Sequence, residues 1–266
     1  MNNRHVIAAW PFINGTPKWS AKKLVRTARK FKMPGVELLD VEHWPLLKKH
    51  NMICAATRSH TYVRGMNNLG HHTECLAILE DSISASATAG FPNVMTFTGL
   101  ADTSDEKNGS VVSASDGMKN CIAGYKQIVG MAEKKGVTLI LEPLNSKVDL
   151  PRQGHPGYQG DHINYCLEII KAVGSPSLKL LFDVYHIQIM DGDLISHIRT
   201  NAEYIGHVQM AGVPGRRYIS KNQEINYRAV IRAFEEIGYS GYLGHEWLPG
   251  RNAKRELRMS IENCTI

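Results

Sequence analysis

The sequence predicts an α/β fold, a closed (β/α)8 barrel. Two observations carry this expectation. A unit of amphipathic helix, glycine stop and short apolar strand recurs along the chain, and the strand segments are continuous apolar runs rich in branched residues. Such runs suit strands buried on both faces. Strands alternating with helices need parallel crossovers, and eight such units in 266 residues match the size at which a parallel sheet closes on itself.

The first strand is expected near 4–10. No glycine-rich dinucleotide fingerprint follows it, which disfavours an open doubly wound sheet. Gly35 introduces VELL in the second strand, 35–40, and the third falls near 52–57. Gly90 precedes NVMTF in the fourth, 93–98. The clearest helix runs from Ser113 to Gly136. Met118, Cys121, Ile122, Tyr125, Ile128, Val129 and Ala132 recur at three- and four-residue steps, giving one apolar face that Gly136 terminates. VTLILEPLN supplies the fifth strand, 137–142, and Gly174 leads into the sixth, LKLLFDV, at 178–184. The seventh is expected near 204–210, and Gly238 precedes the eighth, 241–246. No composition shift marks a domain boundary, so residues 1–266 are expected to form a single barrel domain. Three long loops, 59–68, 101–112 and 146–160, follow strands and belong on the face where barrels place substrate loops.

Composition narrows the function classes. Lys plus Arg (31) less Asp plus Glu (25) leaves +6. The basic residues concentrate in helical stretches, Lys22, Lys23, Arg26, Arg29 and Lys30, then Arg251, Lys254, Arg255 and Arg258. That spacing describes solvated outer helix faces rather than a phosphate track, so no nucleic-acid partner is expected. Cys54, Cys75, Cys121, Cys166 and Cys264 are odd in number and read as buried reduced thiols of a cytoplasmic protein. The early apolar stretch from Val6 to Ile13 is broken by Pro11 and is too short to span a bilayer or form a signal core, so no membrane association is expected. A homo-oligomer is compatible with the composition.

Chemistry concentrates at strand ends. Glu142, Asp183, Gln209 and Glu246 terminate strands five to eight, and neighbouring strands lie about 5 Å apart, so side chains at equal height can share one ion. Three carboxylates and an amide oxygen are hard donors suited to Mg²⁺ or Mn²⁺ rather than to a thiolate zinc site. His186 lies three residues after Asp183 and can reach the barrel mouth; His207 shares a strand face with Gln209. Arg216 and Arg217 are the cationic candidates near the mouth, where a guanidinium can hold a carboxylate at two points. Trp10 and Phe12 can wall a pocket, Asp161 is expected to cap the helix that follows it, and His60, His71, His72, His155 and His162 read as surface residues.

The blocks LEPLN, LLFDVYHIQIMDGDL, IGHVQMAGVPGR, EINY and GYLGHEW resemble the hydroxypyruvate isomerase branch of the xylose isomerase-like barrel family. The resemblance runs from about Pro34 and is closest from Leu141 to Pro249. It implies that Glu142, Asp183, Gln209 and Glu246 hold a divalent ion, that Glu142 and Glu246 move the proton, and that His186 and Arg216 bind substrate. Gln209 departs from the pattern, because ketose 3-epimerases of the wider family have histidine there, and the 146–160 loop is longer than in compact members. The activity implied is an aldose-ketose type isomerisation of a small hydroxy-carbonyl acid or sugar, with hydroxypyruvate to tartronate semialdehyde foremost and ketose 3-epimerisation as the alternative. A DNA-repair endonuclease and a non-catalytic sugar-acid binding protein rank below these.

Overall fold

Strands form where the apolar runs were expected. The computed structural model describes residues 4–16 and 18–266. Its strands are β1 (His5–Ala8), β2 (Gly35–Glu37), β3 (Ile53–Cys54), β4 (Asn93–Thr96), β5 (Thr138–Leu141), β6 (Leu178–Asp183), β7 (Ile205–Met210) and β8 (Leu243–His245). All pair in parallel in one sheet, in the order β3-β2-β1-β8-β7-β6-β5-β4. A parallel bridge between Thr57 and Val94 joins the chain just beyond β3 to β4, and the Thr57 N–H donates to Asn93 O at 2.9 Å. That bridge closes the sheet into a barrel.

Between the strands run helices whose ends follow local chemistry. Helix Ala114–Lys135 begins at Ser113, whose hydroxyl accepts from the Asp116 N–H, and ends at Gly136 with φ 65°. A side chain there would meet the left-handed penalty that glycine avoids. The same stop recurs at Gly90 and Gly174. Asp161 does not cap the helix Ile163–Val173, contrary to expectation. Its carboxylate accepts instead from the Ser146 hydroxyl at 2.5 Å, and the free Ile163 N–H donates at 3.0 Å to Asp191, which follows the helix Val184–Met190.

Two apolar layers result. Most of the core lies between sheet and helices, whereas Ala8, Leu38, Ala56, Met95, Ile140 and Leu181 fill the barrel interior. By strand alternation Glu142 and Asp183 stand two residues beyond Ile140 and Leu181, on the same interior face and at the open end. The basic helix residues singled out in the sequence are all exposed, and the five cysteines are buried and free. No helix among the described residues is long and apolar enough to cross a membrane.

Candidate active site

The C-terminal strand ends open into a cavity of about 420 Å³, lined in part by Trp10, Arg58, His155, Glu142, Arg216 and Glu246. Asp183 ends β6 and also begins the helix Val184–Met190. Its Oδ1 accepts from the N–H groups of Tyr185 (2.7 Å) and His186 (3.3 Å), which leaves Oδ2 buried and without a hydrogen-bond donor. Glu142 Oε1 is likewise buried and partnerless. Ligand atoms of Glu142, Asp183 and His186 lie within 4.8 Å of one another.

His186 is better suited to donate than to ligate. Its Nδ1 faces the backbone N–H of Asn145 at 2.9 Å, and a backbone amide can only donate. In the neutral ring the proton therefore sits on Nε2, which has no acceptor and lies 3.9 Å from Asp183 Oδ2. Burial first, then the charge of Arg216, holds this imidazole well below its ordinary pKa. The ring thus presents one N–H to whatever enters the mouth.

Glu246 is held differently. Trp10 Nε1 donates to its Oε1 at 2.6 Å and Arg216 Nη2 to its Oε2 at 2.5 Å. The same Nη2 stands 3.9 Å from Asp183 Oδ2, and the guanidinium lies over the rings of Trp10 and Tyr185 at 5.2 and 5.4 Å. Burial raises the Glu246 carboxyl to about 7, with Arg216 opposing the rise. Burial followed by repulsion from Glu246 and Asp183 pushes Glu142 well above the usual carboxylate range. Asp183 is also raised by burial, with Arg216 and the two helix amides pulling back. For Arg216, burial works against the charge but the carboxylates around it outweigh that and raise its pKa. Arg216 itself adopts φ 50°, an uncommon conformation for a residue with a side chain. Arg217 is exposed.

Gln209 pairs in register with Asp183 on one side and Gly244 on the other. Its Nε2 donates to Glu37 and its Oε1 is buried with no partner. Three inward oxygens, from Glu142, Asp183 and Gln209, therefore lack donors. Buried acceptors of that kind are costly unless something positive satisfies them, and an all-oxygen set fits a hard divalent cation.

The sequence profile described as xylose isomerase-like TIM barrel matches residues 41–263. The chain belongs to the xylose isomerase-like TIM barrel family. It is 33% identical over 143 residues to a 2-oxo-tetronate isomerase of Cupriavidus necator, covering 52% of each chain. It is 31% identical over 137 residues to a hydroxypyruvate isomerase of Escherichia coli, covering 52% of this chain and 50% of the other. The chain spans about half the length of the curated relatives it matches. A solved structure described as an AP endonuclease, family 2, from Brucella melitensis superposes with a TM-score of 0.82 at 23% identity, covering 96% of both chains, which establishes likeness of fold.

Within this xylose isomerase-like barrel several sequence expectations need correction. His60, His71 and His72 are only 5%, 1% and 8% exposed, not surface residues: His60 Nε2 lies 2.9 Å from Thr96 Oγ1 at the end of β4, and His72 Nε2 lies 2.9 Å from Met66 O of the loop before it, while the three long loops bond to one another. Asn67 Nδ2 donates to Leu100 O and Gln159 Oε1, and the Ala101 N–H donates to Gly157 O. His155 is half-buried and lines the cavity, its pKa lowered to about 4 chiefly by burial; His162 is exposed as expected. Trp10 lines the cavity, whereas Phe12 packs into the core against Trp19 and Trp247. Sequence reasoning missed Asn145, which orients His186, and Glu37, which holds Gln209. Asn145 had a signal in its place as the last residue of VTLILEPLN; Glu37 had none beyond ending a short strand.

Proposed function

We propose that the protein is a divalent-cation-assisted isomerase of small 2-oxo or hydroxy-carbonyl acids, interconverting the carbonyl and the adjacent hydroxyl carbon. The observation that carries the reading is the set of buried oxygens without donors, Glu142 Oε1, Asp183 Oδ2 and Gln209 Oε1, beside a third carboxylate, Glu246, at one barrel mouth. Glu142, Asp183, Gln209 and Glu246 would hold a Mg²⁺ or Mn²⁺ ion. Such an ion supplies Lewis-acid stabilisation of negative charge on substrate oxygens.

The chain's own groups account for the rest. For hydroxypyruvate, a carboxylate removes a proton from C3, the C3–H electron pair moves into the carbon framework, and a proton is delivered to C2. The hydroxyl proton passes from the C3 oxygen to the C2 oxygen, so C3 becomes the aldehyde, C2 the alcohol, and the atoms balance. Glu246 is the better first base because Trp10 and Arg216 both favour its charged form, and Glu142, the other glutamate of the cavity lining, returns the proton. In this reading His186 Nε2–H donates to a substrate oxygen, and the Arg216 guanidinium attracts the substrate carboxylate. Arg58 and Arg152 add positive charge to the cavity lining, which supports an anionic substrate over a neutral ketose. The cavity volume also admits acids longer than three carbons and sugars, which keeps ketose 3-epimerisation as the second reading.

Purified protein supplied with Mg²⁺ or Mn²⁺ and offered hydroxypyruvate, 2-oxo-tetronate or D-fructose, followed by NMR, tests this. Turnover of an acid to its aldehyde or ketone isomer is expected. Epimerisation of the ketose with no turnover of either acid would overturn the reading in favour of the epimerase.

A further inference from the structure

Glu37 is a fully buried carboxylate in the barrel interior, outside the strand-end set. It ends β2, where the register pairs it with Ala8 of the interior layer. The next residue, Leu38, takes φ 54°, and both Glu37 and Leu38 contact interior groups. Glu37 Oε2 accepts from His207 Nε2 at 2.6 Å and Oε1 from Gln209 Nε2 at 2.9 Å. Gly244, the register partner of Gln209, completes the seat: a Cβ at that position would overlap the Glu37 carboxylate.

This arrangement decides which end of the Gln209 amide faces the mouth. An amide carries an acceptor on one branch and donors on the other, and either can point into a site unless a neighbour chooses. Glu37 Oε1 accepts from the NH₂ branch, so the Gln209 Oε1 turns away from it, where it is buried without a donor. A flipped amide would aim its donor hydrogens at the cation site. His207 contributes a second donor that fixes the carboxylate plane.

We infer that Glu37 is a positioning residue that, with His207 at its other oxygen, locks Gln209 with its amide oxygen toward the divalent-cation site. The inference rests on the proposed cation set and adds to it a residue that touches neither ion nor substrate. It works as outer hydrogen-bond partners of metal ligands do, by fixing ligand orientation.

Calorimetric titration of metal-stripped protein with Mn²⁺ tests it, using wild type, Gln209→Ala, Glu37→Gln and the double variant. In Glu37→Gln the new amide can donate to Gln209 Oε1 and release the flip, so Mn²⁺ affinity should fall on the order of 10-fold or more. Gln209→Ala should fall comparably, and the double variant no further than Gln209→Ala, since both lose the same oxygen. Water-proton relaxation by bound Mn²⁺ should rise in Glu37→Gln as water takes the vacated position, a signature that a merely structural role would not produce. Should Glu37→Gln melt too low to titrate, Glu37→Asp keeps a carboxyl group but withdraws it from Gln209, and the same loss and non-additivity are expected. Wild-type affinity in the Glu37 variants, or losses that add to that of Gln209→Ala, would overturn the inference while leaving the cation set standing. Wild-type affinity in Gln209→Ala would instead remove Gln209 from the cation set, and the inference with it.

Discussion

Gln209 concentrates the chemistry that distinguishes this site at the scale of one residue. A neutral amide oxygen is a hard donor, so the set should favour Mg²⁺ or Mn²⁺ over softer ions. Gln209→His should tighten Co²⁺, Ni²⁺ and Zn²⁺ relative to Mg²⁺, because imidazole nitrogen suits those ions and Glu37 stands ready to accept the other ring N–H. Competition titrations on stripped protein read this directly, and unchanged selectivity would mean that position 209 does not reach the ion. The strand-end residues were legible in sequence because each ends an apolar run with a polar side chain of ligand type. Glu37 was not legible: it also ends a strand, but its partners His207 and Gln209 lie about 170 positions away, and only barrel closure brings them together. Arg216 was legible as a cation near the mouth, but its contact with Glu246 depends on the loop after β7 turning inward.

At the scale of elements, the β1–β8 seam carries a titratable pair on its own. His5 Nδ1 lies 3.1 Å from His245 Nε2, and the rings stack with centroids 5.2 Å apart. Burial lowers the His5 pKa from 6.5 to about 4. Above pH 6.5 the ring is neutral folded or unfolded and contributes no pH dependence. As pH falls from 6.5 toward 4 the unfolded chain binds a proton that the folded chain refuses, so stability is lost across that window. The loss attributable to His5 reaches at most about 3 kcal/mol. Urea midpoints between pH 7 and 4 should therefore decline less steeply in His5→Gln than in wild type; equal slopes would show that His5 is not a source of the acid sensitivity. The elements themselves were largely legible. Helix Ala114–Lys135 agreed with its apolar periodicity and its Gly136 stop because those signals are local. The cap at Ile163 was misread because Asp191, which takes that N–H, arrives from another segment.

For the whole molecule, the barrel was legible because strands buried on both faces leave unbroken apolar runs, and each expected strand is present. The closure at Thr57 and Val94, and the packing of three loops into one wall that buries His60, His71 and His72, were not, since each depends on contacts between distant segments. The barrel gathers Glu142 and Glu246 from separate strands at one mouth, and in the proposed reaction these two carboxyl groups pass a proton between adjacent substrate carbons. NMR of hydroxypyruvate in D₂O with Mg²⁺ present, comparing wild type with Glu246→Gln, tests that claim most directly. Wild type should incorporate deuterium at the reacting carbons. Incorporation should fall on the order of 10² or more in Glu246→Gln at an unchanged melting temperature, since the amide keeps an oxygen ligand but cannot carry the proton. Exchange at the wild-type rate in that variant would contradict it.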